Sequence, residues 1–208
     1  MTDHFDSHTA RFLAAVAMQM PKVSGDVMQG WIDNPSSLHR ALKDALCPRI
    51  FKVWRRIKLG TGLTTADEFR KAITDNKMRI CKYASDILGQ SKFTVATEPV
   101  EVDLVVMSVR DLGFKCKMPY DKICAKAQQF GLDRCSPEVG PQLRLQYFDL
   151  QFGERLTIAM EAIHNSYGHR CLFSVGHDED LPWLRTNRGD DFHKWDLNNQ
   201  FVFVLPRE

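Results

Sequence analysis

Four residues in the last third of the chain have side chains that commonly bind zinc. Two histidines, His164 and His169, are separated by four residues, and a cysteine follows two positions later. Imidazole nitrogen and thiolate sulfur are suitable zinc ligands, and residues 169 and 171 would project from one side of a strand. This spacing is compatible with a metal site, but His164 and His169 flank a turn, where polar side chains in contact with solvent are expected in any case. The predicted ligands are His164, His169, Cys171 and His177.

Acidic residues near these histidines could hold a divalent ion or supply a general acid and base. They occur in "HDEDLPWLR", from residue 177, and in "NRGDDFHKW", from residue 187. The enzymatic alternative is therefore a metal-dependent hydrolase or nuclease that uses C-terminal aspartates and histidines. Short acidic runs are also ordinary in loops between strands. The residues concerned are Asp178, Glu179, Asp180, Asp190 and Asp191, next to His177 and His193.

A basic segment is the strongest functional indication. Residues 48–92 contain eleven lysines and arginines against four acidic residues, whereas residues 145–208 contain six against ten. Phosphate backbones attract such a segment, and an exposed aromatic ring within it can stack on a base. The alternative is a solvated face, or a face paired with the acidic C-terminal part. The candidate nucleic-acid-binding residues are Lys52, Trp54, Arg55, Arg56, Lys58, Arg70, Lys71, Arg79 and Lys82.

The stretch "CSPEVGPQLRLQY", residues 135–147, contains a further set of polar side chains. Glu138, Gln142 and Arg144 could form a polar pocket beside its first turn. A carboxylate that caps a helix, together with an ion pair on the face of a strand, explains the same residues. The stretch therefore does not by itself indicate a ligand.

The same stretch predicts one helical turn followed by a strand. Ser136 and Pro137 are typical of a helix start, and the next residue is acidic, which suits the positive end of the helix dipole. Gly140 and Pro141 would stop this helix within about one turn. Leucine and tyrosine then alternate with polar residues at positions 143–147, which favours a strand.

Alternating residues in the C-terminal part predict a small antiparallel meander. Residues 155–163 alternate, and "DLQFGE" before them resembles a hairpin turn that would pair them with residues 143–147. In this register Arg144 lies diagonally near Glu161 on the polar face. Residues 171–175 and 201–206 are predicted to form further strands.

Helix signals are frequent before residue 131. Apolar residues repeat with helical spacing, and a proline or glycine follows most of these segments. Thr65 and Glu68 have the spacing of a capping box. Two segments predict strands instead, 50–62 because basic and apolar residues alternate, and 100–109 because β-branched residues are abundant. Helices are predicted at 9–20, 24–31, 38–47, 65–73, 79–88 and 119–130.

The composition is that of an ordinary globular protein, with 44% hydrophobic and 26% charged residues. No stretch approaches the roughly 20 apolar residues that span a bilayer. The nearest, residues 12–20, follows aspartates and histidines instead of the basic residues of a signal peptide. The six cysteines include no Cys-x-x-Cys pair, so free and buried thiols are expected. These features predict a cytoplasmic protein.

Several stretches, in the same order over about residues 28 to 205, resemble an uncharacterised family of short bacterial hypothetical proteins. They are "MQGWIDNPSSLHRALKDALCP", "VWRRIKLGTGL", "ASDILG", "EVDLVVMSVRDLGF", "SPEVGPQLRLQY" and "FVFVLP". The resemblance implies a bacterial cytoplasmic protein that forms one integrated unit, and it implies no activity, ligand or catalytic residue. The chain has "HNSYGHRC" where the family has an Asp-Ser-x-Gly type of turn, so the resemblance does not imply the metal site.

Together these observations predict an α+β fold, in which helical N-terminal two thirds pack on a C-terminal antiparallel sheet. The predicted organisation is a helical N-terminal extension, residues 1–48, and an α+β domain, residues 49–208. The sequence contains no phosphate loop, dinucleotide fingerprint or His-Glu-x-x-His motif, so no cofactor is predicted. The leading hypothesis is a non-enzymatic cytoplasmic binding protein with nucleic acid or another protein as its partner and no membrane association.

Overall fold

The computed structural model describes residues 7–19, 22–38, 42, 51–178 and 181–207. The chain divides into two compact units, Met1–Arg49 and Ile50–Glu208. No helix within the described ranges is both long enough and apolar enough to cross a membrane.

The described part of the first unit contains helices α1 (Ser7–Gln19) and α2 (Gly25–Asp33). Both agree with the predictions, and α2 is followed by its C-cap residue Asn34, which precedes a proline. Ser24 is the N-cap residue of α2, but its side chain makes no capping hydrogen bond. Neither helix has a buried residue. The helix predicted at residues 38–47 lies almost wholly outside the described residues.

The described residues of the second unit form ten strands and four helices. The strands are β1 (Arg55–Leu59), β2 (Arg79–Ile80), β3 (Val100–Ser108), β4 (Met118–Pro119), β5 (Arg155–Ile158), β6 (Ile163–His164), β7 (Arg170–His177), β8 (Pro182–Arg188), β9 (Lys194–Trp195) and β10 (Gln200–Leu205). The helices are α3 (Ala66–Asp75), α4 (Lys82–Leu88), α5 (Tyr120–Gln129) and α6 (Val139–Gln146).

A curled mixed sheet organises these elements. Its strands lie in the order β1-β3-β10-β5-β7-β8-β2, and β6 pairs with β7. Strand β10 is parallel to β5, and β2 is parallel to β8, whereas the other pairs are antiparallel. Strands β4 and β9 form a separate antiparallel pair.

The predicted architecture is therefore wrong, although the protein is a mixed α+β protein. Eight of the ten described strands, from β1 at residue 55 to β10 at the end of the chain, belong to one sheet, so the helices do not form an N-terminal layer over a C-terminal meander. Strand β3 causes this difference because it pairs with β1 on one side and with β10, the last strand of the chain, on the other. Period-two alternation identifies strands one at a time, and it does not show which distant strand becomes the neighbour.

Local sequence signals predict several elements correctly. Thr65 caps α3: its hydroxyl accepts from the backbone N–H of Glu68, whose carboxylate accepts from the N–H of Thr65. On β1, the buried Ile57 and Leu59 alternate with exposed basic residues. Strand β3 and helix α5 are also confirmed. These signals depend on interactions within a few residues of the chain, so the predicted elements are retained in the folded protein.

Helix α6 contains most of the segment that was predicted to be a strand at residues 143–147. Pro141 is the third residue of this helix, where an N–H group has no partner within the helix, so the missing donor does not end it. Leu143 and Arg144 are adjacent in sequence, and both are fully buried. The alternating leucines therefore belong to a helix that is covered on several sides.

Close packing on β7 explains why α6 includes Gly140. A Cβ atom at this glycine would lie 2.6 Å from the Cβ of Phe173, so only glycine allows the helix to approach the strand this closely. The predicted hairpin is wrong as well, because β5 pairs with β7 and β10. Arg144 is buried, whereas Glu161 is exposed and pairs with Lys92, so the predicted diagonal pair does not form.

Side chains pack on both faces of the sheet. The strand register places Phe173 and Phe201 on opposite faces. Phe93 contacts the rings of both Phe69 from α3 and Phe173, on the face that α6 covers. On the other face, Tyr120 of α5 lies with its ring centroid 5.9 Å from that of Phe201.

Gln146 closes the outer edge of β1. Its Nε2 donates to the carbonyl of Lys58 at 2.7 Å, and its Oε1 accepts from the N–H of Lys58 at 2.9 Å. This reciprocal pair replaces the hydrogen bonds of a further strand. It therefore blocks part of an edge on which another chain could add.

Asp103 on β3 is buried and binds two arginines. Its carboxylate accepts from Nε and Nη2 of Arg56 at 2.6 and 3.0 Å, and from Nε and Nη2 of Arg207 at 3.0 and 3.3 Å. These hydrogen bonds, Arg56 first, hold the pKa of Asp103 well below its ordinary 3.8. Because the pKa is lower in the folded state, the carboxylate stabilises the fold above the unfolded pKa and loses this effect as pH falls.

We expect Asp103→Asn to lower the free energy of unfolding by about 1–2 kcal/mol near neutral pH, because an amide cannot accept both guanidinium forks. Urea unfolding should show that the difference from the native chain shrinks below about pH 4. Asp75→Asn, which removes an exposed pair with Lys71, is the control and should cost less than about 0.5 kcal/mol. A loss for Asp103→Asn that stays constant with pH would contradict this assignment.

Candidate functional site

The structure does not bring the four predicted metal ligands to one place. No group of three or more His, Cys, Asp or Glu side chains among the described residues could hold a metal ion. His164 and His169 are exposed, whereas Cys171 is buried, and burial raises the pKa of its thiol. His177 lies at the other end of β7 from Cys171, roughly 20 Å away at about 3.3 Å per residue. There its Nδ1 is 3.1 Å from the carbonyl oxygen of Leu150.

The acidic residues proposed for catalysis are separated too. Asp178 follows β7, whereas Asp190 and Asp191 follow β8, so they lie at opposite ends of a hairpin roughly 20 Å long. Glu179 and Asp180 lie outside the described residues. The described aspartates are within ion-pair distance of arginines, in the pairs Asp178–Arg155, Asp178–Arg185, Asp190–Arg188 and Asp191–Arg170.

Glu138 and Gln142 lie together, as predicted for a polar pocket, but they are buried and bonded to the protein. The Glu138 carboxylate accepts from the backbone N–H groups of Gly60 and Ala96, both at 2.8 Å, and from Nε2 of Gln142 at 3.0 Å. Gln142 also donates to Oγ1 of Thr61 at 2.7 Å. This cluster ties two loops to the start of α6, and it presents no free group to a ligand.

Arg144 is fully buried, and its guanidinium donates to the carbonyls of Gly176 and Tyr147. No carboxylate of the described residues is within ion-pair distance of it. Burial lowers the pKa of Arg144 to about 10, so the group remains protonated at neutral pH. Arg144 therefore has a packing role on α6 and does not pair with Glu138.

The candidate nucleic-acid-binding residues are distributed over several elements of the second unit. Lys52 and Trp54 precede β1, and the adjacent Arg55 and Arg56 point to opposite faces of that strand. The ring of Trp54 is half-buried and packs edge-on against Tyr147, 5.0 Å away, so it is not free to stack on a base. The remaining members lie on β1, α3, β2 and α4, and they are Lys58, Arg70, Lys71, Arg79 and Lys82.

Carboxylates of the protein neutralise several of these cations. This internal pairing is strongest for Arg56, which binds the buried Asp103. Because an anion must compete with such a pair, these side chains offer less to a phosphate than the sequence indicates. The other pairs are Arg55 with Asp149, Arg70 with Asp67, and Lys71 with Asp75.

Lys82 differs from these residues because it lies beside exposed aromatic rings. Its Nζ is 2.8 Å from the hydroxyl of Tyr167 and 5.2 Å from the ring centroid, and the hydrogen bond raises the pKa of Lys82. Tyr83 contacts Tyr167 edge to face, with ring centroids 6.2 Å apart. Tyr83 is 45% exposed and Tyr167 is 59% exposed. We call Lys82, Tyr83 and Tyr167 the tyrosine–lysine surface.

Hydrogen bonds on both sides of Tyr167 fix the turn between β6 and β7. The buried Asn165 accepts from the N–H groups of Tyr167 and His169 at 3.0 and 2.9 Å. Asp86 of α4 accepts from Oγ and N of Ser166 at 2.6 and 2.8 Å, and these bonds lower its pKa. The turn is therefore docked on α4, and Tyr167 is held in place while its ring remains exposed.

The nucleic-acid-binding residues predicted from the sequence include Lys82 but neither Tyr83 nor Tyr167. Tyr83 has the spacing of the inner face of α4, yet its side chain is partly exposed. Tyr167 belongs to "HNSYGHRC", and nothing local shows that this turn reaches a helix about 80 residues earlier. The excess of basic residues in the segment 48–92 was the available signal.

No family model matches this chain, and neither a curated protein nor a solved structure matches it. The resemblance to short bacterial proteins stays a prediction. The fold and the surface define a structural class: a mixed α+β protein with a curled sheet, in which a helix and a turn place an exposed pair of tyrosines beside a lysine.

Proposed function

We propose that the protein is a non-enzymatic cytoplasmic binding protein whose second unit contacts single-stranded nucleic acid. The tyrosine–lysine surface carries this proposal, because two exposed rings lie beside an ammonium group. Bases stack on exposed aromatic rings, and the phosphates between them attract cations. The proposed site includes only part of the basic segment, because several other basic residues of that segment form ion pairs within the protein.

The fixed position of Tyr167 supports a binding role. An exposed aromatic side chain at a turn normally loses freedom when a ligand orders it, and this loss weakens binding. Here Asn165 and Asp86 have already ordered the turn in the free protein. Binding therefore requires less additional ordering, as in other preorganised recognition surfaces.

The local charge supports an anionic partner. Lys77 and Arg79 lie shortly before Lys82 in the chain, and both are exposed. Asp86, on the same helix as Lys82, is already bound to Ser166. A phosphate that follows a stacked base would therefore meet the Lys82 ammonium beside the ring of Tyr167.

We expect a variant with Tyr83→Ala and Tyr167→Ala to bind single strands at least about tenfold more weakly, because each lost stack removes about 1–3 kcal/mol. Fluorescence anisotropy would measure the affinity for labelled DNA and RNA of about 20 nucleotides, longer than a single site of this kind. Phe192→Ala is the matched control, since Phe192 is a 96% exposed aromatic residue elsewhere in the unit. Equal losses in the double variant and in this control would exclude specific stacking.

Salt dependence provides a second measurement on the same surface. Lys82→Gln should weaken binding and reduce the slope of log affinity against log salt by about 1, because one phosphate contact is lost. Lys71→Gln should leave both values unchanged, since Asp75 already pairs with Lys71. Electrostatic attraction is strong at about 50 mM salt, so the proposal fails if the native chain binds neither the DNA nor the RNA oligonucleotide there.

The metal-dependent hydrolase has less support than the binding protein. Its carboxylates lie at both ends of the β7–β8 hairpin, and the described residues contain no metal-binding group.

The cysteines support the proposed cytoplasmic location. The five described cysteines are free, as expected in a reducing compartment such as the cytoplasm.

A further inference from the structure

A groove on the second unit lies between the segments around residues 92–94, 134–137 and 161–163. It encloses about 520 Å³, which is within the range of pockets that hold small molecules. Its lining contains none of the metal-ligating or nucleic-acid-binding residues that were predicted from the sequence. The side chains that line the groove determine which ligand it can bind.

Four side chains that donate hydrogen bonds line this groove. Lys92 and Arg134 are cations, and Thr94 and Ser136 supply hydroxyl groups. Glu161 is the acid of the lining, so the cations exceed it by one charge. Two cations and two hydroxyls from separate segments match the several acceptor oxygens of a phosphate group better than the two oxygens of a carboxylate.

The guanidinium of Arg134 lies beside the thiol of Cys124 and over the ring of Tyr120, and these contacts leave part of its donor fork for a ligand. Its nearest carboxylate in an ion pair, Asp121, is 3.7 Å away, which is beyond an ordinary hydrogen bond. The side chain is 45% exposed. A guanidinium carries five N–H donors in a planar fork, so Arg134 can bind two oxygens of one phosphate.

Glu161 competes with a bound anion. Its carboxylate lies 2.9 Å from Nζ of Lys92, and this hydrogen bond lowers the pKa of Glu161. An incoming phosphate must share Lys92 with this carboxylate. Removal of its charge should therefore strengthen phosphate binding, whereas removal of Arg134 should weaken it.

We propose that this groove binds a phosphate group through Arg134 and Lys92, with Thr94 and Ser136 as further donors and Glu161 as an opposing charge. The phosphate can belong to a small phosphate ester or to the backbone of a nucleic acid. This site shares no residue with the tyrosine–lysine surface, and titration with phosphate tests it independently of the proposed nucleic-acid binding.

Titration of the full chain with inorganic phosphate, followed by NMR or calorimetry, tests the site. Arg134→Ala should weaken phosphate binding about tenfold, and Glu161→Gln should strengthen it about threefold. Lys117→Ala is the control and should change nothing, because Lys117 is outside the lining and pairs with Asp196. Circular dichroism would confirm that each variant is folded.

Arg134→Ala and Glu161→Gln are expected to change the phosphate affinity in opposite directions. If the two residues only stabilised the fold, both substitutions would lower the phosphate affinity. The proposal is overturned if the native chain binds phosphate more weakly than about 20 mM, or if Glu161→Gln weakens binding. The oligonucleotide assay identifies the source of the phosphate. Loss of oligonucleotide affinity in Arg134→Ala indicates a nucleic-acid backbone, and unchanged affinity alongside lost phosphate binding indicates a small phosphate ester.

Discussion

Replacing Glu138 with glutamine is expected to lower the free energy of unfolding by about 3 kcal/mol. The native carboxylate accepts three hydrogen bonds in a fully buried position, from Gly60, Ala96 and Gln142. A glutamine has one acceptor oxygen, so its NH₂ group must face one of these donors. The substitution therefore replaces a charge-assisted bond with a repulsive contact and leaves a buried N–H group without a partner.

Urea unfolding of the variant and of the native chain measures this loss. Glu98→Gln is the matched control, because Glu98 is exposed in the same loop region as Ala96. The control should change the free energy of unfolding by less than about 0.5 kcal/mol. If Glu138→Gln behaves like the control, the carboxylate does not hold the two loops.

Gly140→Ala is expected to lower the free energy of unfolding by about 2–3 kcal/mol. The new Cβ would lie 2.6 to 2.8 Å from three atoms of Phe173, which is fully buried on a central strand. Neither the helix backbone nor this ring can move without disturbing the packing between α6 and β7. The predicted destabilisation therefore follows from one contact.

A double-mutant cycle isolates this contact. Phe173→Leu removes the ring, so Gly140→Ala should cost less in that background by about 1 kcal/mol or more. Gly30→Ala on α2 is the control, because no atom of the described residues, apart from the helix's own neighbouring backbone, lies within 4 Å of the new Cβ, and alanine favours a helix. Independent effects of Gly140→Ala and Phe173→Leu would show that the strain is located elsewhere.

The candidate sites differ in how far the sequence predicts them. Glu138 and Gln142 are four residues apart on one short stretch, and their proximity follows from a helix turn. Gly60 and Ala96 complete the cluster from distant loops, and no local pattern relates them to Glu138. The basic segment predicts Lys82 from the sequence. Its partner Tyr167 lies beside it only because the turn between β6 and β7 packs on α4.

The sequence by itself determined the elements whose causes are local. The capping box at Thr65, the alternation on β1 and the β-branched run of β3 each act within a few residues, and each is present as predicted. Tertiary structure alone decided the neighbours of each strand and the conformation of residues 143–147. Packing of Gly140 against Phe173 favours a helix here, and the order of the strands depends on pairs between residues as distant as Asp103 and Leu205. The physical reason is that such contacts exist only after the chain has closed long loops, and their energies exceed the local preferences on which sequence patterns depend.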